Sequence, residues 1–249
     1  MTRAPIPDLA PGERRLEGGL AHYLVRVLRL RAGDGFVGFD PATASEADGV
    51  TLETGHDTIT VRFGRLRPGA TRAARELTWL QGLAKGDKCD AVVRDATELG
   101  ATRVLVAVTR RSVVKLDPAR ASERQARWAR VASEASRQCG RSDAPRVDAP
   151  CRWSEALARV AGPAEVAEPV RFCLWEQATD PLAPALFEAL ARHAPMAFAC
   201  GPEGGLEASE VDEARSAGWL VVSLGPFVLR TETVAAAVLG AVRVWSGLE

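Results

Sequence analysis

Arg230 and Glu232 stand two positions apart, just after a stretch that begins as a β-branched strand at Val221-Val222 and breaks at Gly225-Pro226. The chain then enters an alanine-rich helix from Val234 to about Val244, with Thr231 and Thr233 as capping candidates at its start. A strand feeding a helix through a tight polar turn is a place where ligands meet free backbone amides. An ordinary capped strand–turn–helix has the same pattern, so a second stretch carries the argument. Met196 to Cys200 reads as a buried strand, and it ends in Gly201-Pro202-Glu203-Gly204-Gly205. Three glycines and a proline in five positions call for unusual dihedrals or close approach of another group. Two successive strands thus deliver backbone-rich loops to one edge of a parallel sheet, the edge at which open α/β sheets bind ligands.

Other chemistries find no support. The chain has no Gly-x-Gly-x-x-Gly, no Walker A motif, no nucleophile elbow and no histidine-rich metal set. Five scattered cysteines make neither a CxxC pair nor a Cys/His cluster, so no metal is expected and a reduced, cytoplasmic setting fits best. Met1 to Arg15 lacks the apolar run of a signal peptide, and Val234 to Val242 is too short to span a bilayer.

Gly201-Pro202-Glu203-Gly204-Gly205 and Leu224-Gly225-Pro226-x-Val228-Leu229-Arg230-Thr231-Glu232-Thr233 resemble the two signature loops of the RsmE family. The pieces Lys85-Gly86-Asp87, Thr97-Glu98-Leu99-Gly100, Gln138-x-x-Arg141-Ser142 and His22-x-x-x-Arg26-Val27-Leu28-Arg29 are similar to further family motifs. The resemblance implies methylation of N3 of a uridine in the decoding region of 16S ribosomal RNA, with S-adenosylmethionine as donor. It implies a SPOUT-type α/β domain whose C-terminal chain forms a trefoil knot, a small N-terminal PUA-like RNA-binding barrel, and a homodimer. It assigns the donor to Leu174, Gly201, Glu203, Gly204, Gly205, Leu224, Gly225, Pro226, Leu229, Thr231 and Thr233. Arg230 becomes the candidate that steadies negative charge on the uracil carbonyls, with Glu232 the candidate base and Glu203 a weaker one. Arg26, Arg29, Arg111, Lys115 and Arg141 become the RNA contacts. Phe227, Arg94 and Arg137 depart from the residues common in the family. Two other readings stay open: another SPOUT enzyme acting on transfer RNA or a different ribosomal site, and a non-catalytic RNA-binding assembly protein.

The charge pattern suits an RNA partner. The formal net charge is zero, yet Arg103 to Arg146 carries eleven basic and four acidic residues, 11 − 4 = +7, and Arg62 to Arg75 carries five arginines and no acid. On the long helix expected from Pro118 to Cys139, Arg120, Arg124 and Arg127 fall on one stripe beside an apolar face of Trp128, Ala132, Ala135 and Cys139. A solvated helix face would show the same stripe.

These parts need elements to hold them. Residues 1–70 read as a small module: a helix from Leu20 to Leu30 with Leu24, Val27 and Leu28 on one side, then strands Phe36–Phe39, Gly49–Thr54 and Thr58–Phe63. Arg67 to Ala70 reads as a linker. Residues 74–249 alternate strand and helix, which predicts a parallel sheet. The strands expected are Glu76–Ala84, Val104–Val108 and Val170–Trp175 as well as the two above. The helices expected are Asp87–Leu99, Ser154–Val160, Leu182–His193 and one opened by Ser209 and closed by Gly218. Glu176 to Thr179 forms a third loop at the ligand edge.

Overall fold

A computed structural model describes residues 2–73, 75–113, 117–160 and 168–246. The chain divides into two compact units: Met1–Arg72 with Ser136–Ala144, and Ala73–Ala135 with Pro145–Glu249. The segment from Ser136 to Ala144, which the sequence reading left with the second part, belongs to the first.

The first unit contains β1 (Arg3–Pro5), β2 (Gly12–Glu17), α1 (Gly18–His22), β3 (Gly35–Asp40), β4 (Ser45–Thr54), β5 (Thr58–Phe63) and β6 (Arg67–Pro68). Its strands pair in the order β1-β3-β4-β5-β2, with β6 on β4. Among the described residues the end strands β1 and β2 do not pair with each other, so the expected barrel is found as an open sheet. The expected linker is corrected too, because Arg67 and Pro68 pair with Glu46 and Ser45. Phe36, Phe63, Ile59, Val61 and Leu24 fill the core of this unit. The helix expected from Leu20 winds as α1 and then as a π turn over Tyr23–Val27, closed by Leu28 N–H on the Tyr23 carbonyl at 3.0 Å. That wider winding keeps Leu24 buried but turns Val27 out to 61 % exposure, away from the face predicted for it.

The second unit contains β7 (Leu77–Gly82), α2 (Lys88–Glu98), β8 (Arg103–Val108), most of α3 (Pro118–Cys139), β9 (Arg146–Val147), β10 (Cys151–Arg152), α4 (Trp153–Val160), β11 (Val170–Leu174), α5 (Leu182–Ala191), β12 (Met196–Cys200), α6 (Ala208–Ser216), β13 (Leu220–Val222) and α7 (Thr231–Ser246). All its strand pairs are parallel, in the order β10-β8-β7-β12-β11-β13, with β9 on β8. Alternating side chains enter different cores. Trp79, Phe172, Phe198 and Val106 pack with apolar residues of α2, α5 and α7. Leu80, Leu105, Cys173 and Ala199 pack with those of α4 and α6. Helices therefore cover both faces, as a parallel sheet requires. Phe172 and Phe198 stack at 5.1 Å between ring centroids, with Trp79 beyond Phe198 at 6.3 Å.

Two helix starts differ from expectation. Glu207 rather than Ser209 precedes α6, because the buried Glu210 carboxylate accepts the Glu207 N–H at 3.0 Å. Helix α7 begins at Thr231, three residues early, because the Arg230 carbonyl already accepts the N–H groups of Thr233 and Val234 at 2.9 and 3.1 Å. Arg230 is thus the residue at the threshold of the helix, and the Thr231 hydroxyl does not cap it.

Candidate active site

The register of the central strands sets one row of residues at the C-terminal edge of the sheet. Gln81 on β7 pairs with Cys200 on β12, Cys200 with Leu174 on β11, and Leu174 with Val222 on β13. Loops leave from this row, and three of them, 175–179, 201–205 and 223–230, wall a cavity of about 460 Å³. A volume of that size takes a small organic molecule.

Glycines let the loops close around it. Gly205 has φ +72°, and a Cβ there would lie 2.9 Å from Glu176 Oε1. A Cβ on Gly201 would lie 2.8 Å from the Gly205 carbonyl carbon, so the turn folds back on itself only with glycine. Gly82, which the sequence reading did not single out, meets Pro202 in the same way, at 2.5 Å.

Leu174, Gly201, Glu203, Gly204, Gly205, Leu224, Gly225, Pro226, Leu229, Arg230, Thr231 and Glu232 all line the cavity. Thr233 does not; it lies on the exposed side of the first turn of α7. The remaining lining residues include Lys88, Trp175, Cys200 and Val234. Lys88 was not anticipated, although it follows the Lys85-Gly86-Asp87 piece directly. Its partner comes from a loop more than a hundred positions away, which no local pattern reveals.

The charged groups divide by their surroundings. Glu203 accepts the Lys85 N–H at 3.0 Å and pairs with Lys88 Nζ at 3.0 Å. Burial opposes its ionisation, but backbone hydrogen bonds and Lys88 outweigh that and hold the carboxyl below its ordinary range. Its carboxylate is thus ionised and engaged by Lys85 and Lys88. Arg230 is exposed and, among the described residues, has no carboxylate partner. Glu232 turns Oε2 into a buried position where it has no hydrogen-bond partner. Such an orphaned acceptor marks a place where a proton donor can dock. Burial pushes the Cys200 thiol up to about 12, so it stays protonated and offers no thiolate nucleophile to the cavity. Phe227 and Val228, at the mouth, are more than four-fifths exposed.

Of the expected RNA contacts, Arg26, Arg29, Arg111 and Arg141 are not among the residues lining the cavity. Arg26 and Arg29 are exposed in the first unit, on the π turn and just after it, where Arg29 has φ +57°. Arg141, in the same unit, is only 4 % exposed and pairs with Asp143 at 2.8 Å, so its guanidinium is already engaged. Arg111 in the second unit braces the glycine turn, donating from Nη1 to the Gly204 carbonyl at 2.7 Å. Lys115 lies outside the described residues. Within the arginine stripe, Arg127 is spent on Asp90 and Arg120 pairs with Asp117.

Helices on both faces of a parallel sheet, and a cavity at the carboxyl ends of its middle strands, define a doubly wound α/β ligand-binding domain. A family model described as an RNA methyltransferase domain matches residues 71–243. The ribosomal RNA small subunit methyltransferase E of Mycobacterium tuberculosis is 31% identical over 229 residues, 92% of this chain and 85% of that protein. The Bacillus subtilis protein of the same name is 29% identical over 238 residues, 91% and 88% respectively. The crystal structure of the Neisseria gonorrhoeae methyltransferase E, bound to S-adenosyl methionine, has 25% sequence identity, a TM-score of 0.83, and coverage of 98% of this chain and 97% of that one. The chain belongs to the RsmE family of RNA methyltransferases. Among the described residues no helix is long and apolar enough to cross a membrane.

Proposed function

We propose that this protein transfers a methyl group from S-adenosylmethionine to N3 of a uridine in the decoding region of 16S ribosomal RNA. The observation that carries this reading is that one cavity is lined both by Arg230, which has no carboxylate partner among the described residues, and by Glu232, whose Oε2 is buried without a hydrogen-bond partner. Uracil N3 holds a proton at neutral pH and is a poor nucleophile until that proton leaves. The site has the two groups that this difficulty demands. Glu232 Oε2 takes the N3 proton, and Arg230 steadies the charge that spreads onto the flanking carbonyls. The donor, when bound, supplies a methyl on a sulfonium whose sulfur leaves neutral, so the leaving group asks little of the protein. The Gly201–Gly205 turn, Leu174 and the 224–229 loop hold the donor, and the Glu176 carboxylate packs so close to Gly205 that a Cβ there would meet it at 2.9 Å.

The trefoil knot of SPOUT enzymes is part of this reading, and the bond from the Thr231 hydroxyl to the Gly201 carbonyl joins the two loops concerned. The first unit serves as the PUA-like RNA-holding module, with Arg26 and Arg29 on phosphates. A homodimer working in the cytoplasm completes the reading. The test is to incubate the purified protein and donor with small ribosomal subunits that lack the modification, then digest the RNA and weigh its nucleosides. One 3-methyluridine per subunit is expected. A methyl on ribose, on another base or only on transfer RNA would move the chain to a different SPOUT activity, and none at all would leave it a binding protein.

A further inference from the structure

Gln81 is a polar residue at the end of an apolar strand, and it is completely buried. Burying an amide is costly unless its hydrogen bonds are met. Gln81 meets them with two partners on its own strand and two outside it. Its Nε2 lies 2.7 Å from Thr231 Oγ1, 3.0 Å from the Gly82 carbonyl and 3.1 Å from the Gly201 carbonyl. Its Oε1 accepts the Trp79 indole N–H at 3.1 Å. An indole only donates, so the amide orientation follows from chemistry. The Thr231 hydroxyl lies 2.7 Å from the Gly201 carbonyl, to which it must donate, and so it accepts from Gln81. A directed chain results, from Trp79 through Gln81 and Thr231 to Gly201.

This chain ties the two signature loops to each other and to β7. Gly201 opens the glycine turn, and Thr231 follows Arg230 directly. Gln81 itself is absent from the cavity wall. The 223–230 loop is pinned upstream at Ser223, whose N–H and carbonyl bond Asp180 and Leu182 at 2.8 and 3.0 Å, and beyond that anchor Phe227 and Val228 project into solvent. Its downstream end is set by what holds Thr231.

We propose that Gln81 is the positioning residue of this site, fixing the glycine turn and the Arg230–Glu232 segment at one spacing through Thr231; this rests on the reading that the cavity binds the methyl donor. A residue that merely filled space would change the melting temperature and leave the folded protein's affinity alone. Gln81 should change affinity and rate in protein that is still folded.

The experiment compares wild type, Gln81→Met, Thr231→Val and the double variant, all assayed well below each variant's melting transition. Affinity for S-adenosylhomocysteine is measured by calorimetry, and turnover at saturating donor on small-subunit RNA. Gln81→Met should lose about tenfold or more in both, the scale of a buried hydrogen bond left unmade, with KM for RNA within about twofold of wild type. Thr231→Val should match it, and the double variant should be no more than about threefold worse than either, because the pair acts as one link. Affinity and turnover of Gln81→Met within about twofold of wild type would overturn the proposal, as would losses that multiply in the double variant. If Gln81→Met does not fold, Thr231→Val decides alone: folded protein with wild-type affinity and rate overturns it. Wild type that binds no S-adenosylhomocysteine would instead sink the donor reading itself.

Discussion

Arg230 and Glu232 share one short stretch but meet different surroundings, and their roles differ accordingly. Among the described residues the exposed guanidinium has no carboxylate partner, and one carboxylate oxygen is buried without a hydrogen-bond partner. Arg230→Ala should slow single-turnover methylation by about 10²-fold or more while donor affinity by calorimetry stays close to wild type, because the lost group acts on charge that develops only during transfer. Glu232→Gln should also slow the chemical step, by about 10²-fold, because the group that takes the N3 proton is gone. Gly205→Val should cost donor affinity instead, because its side chain meets the Glu176 carboxylate and its backbone sits at φ +72°; unchanged calorimetric affinity would argue that the turn does not hold the donor. These residues were legible in the sequence because their types carry the chemistry. Gln81, Lys88 and Gly82 were not, since each acts on a loop supplied by a distant strand. A glutamine inside the apolar run Trp79-Leu80-Gln81-Gly82 was the one available hint.

Whole strands and helices were easier to read than their ends. The parallel alternation after Leu77 followed from apolar runs separated by capped helices, and α3 and β5 fall on the residues expected. Ends were missed where a long-range partner decided them, as at Thr231 and Glu207, and the π turn was missed because its winding keeps an apolar pattern close to that of an α-helix. The pairing of β4 with β6 shows what such partners do. Glu46, nearly buried on β4, pairs at 3.0 Å with both Arg3 and Arg67. Burial opposes its ionisation, but a hydrogen bond from the Ala70 backbone and the two arginines hold its carboxyl below the ordinary range. A carboxyl lowered in the folded state stabilises above its unfolded pKa, and that contribution fades as pH falls through the folded value. Glu46→Gln should therefore cost about 3 kcal/mol in urea unfolding near pH 7, as breaking a buried ion pair does, and the gap to wild type should narrow below about pH 4.

The chain as a whole carries no net charge, so its hold on RNA depends on where the arginines lie. Affinity for small-subunit RNA should fall steeply as salt rises, and Arg26→Ala and Arg29→Ala should each lower the log–log slope by about 0.7, the value for one lost phosphate contact on single strands. A slope that stays unchanged in both variants would remove them from the RNA contact. Sheet order bears on synthesis as well. Strand β12 lies between β7 and β11, so the middle of the parallel sheet is missing until Met196–Cys200 has been made. At ~5–20 residues per second, β7 waits roughly 6 to 24 s on the ribosome for its neighbour. Nascent chains stalled before Met196 should be digested readily by protease in the second unit, while full-length chains resist. Until that strand arrives, an apolar edge of the growing chain is exposed to chaperones.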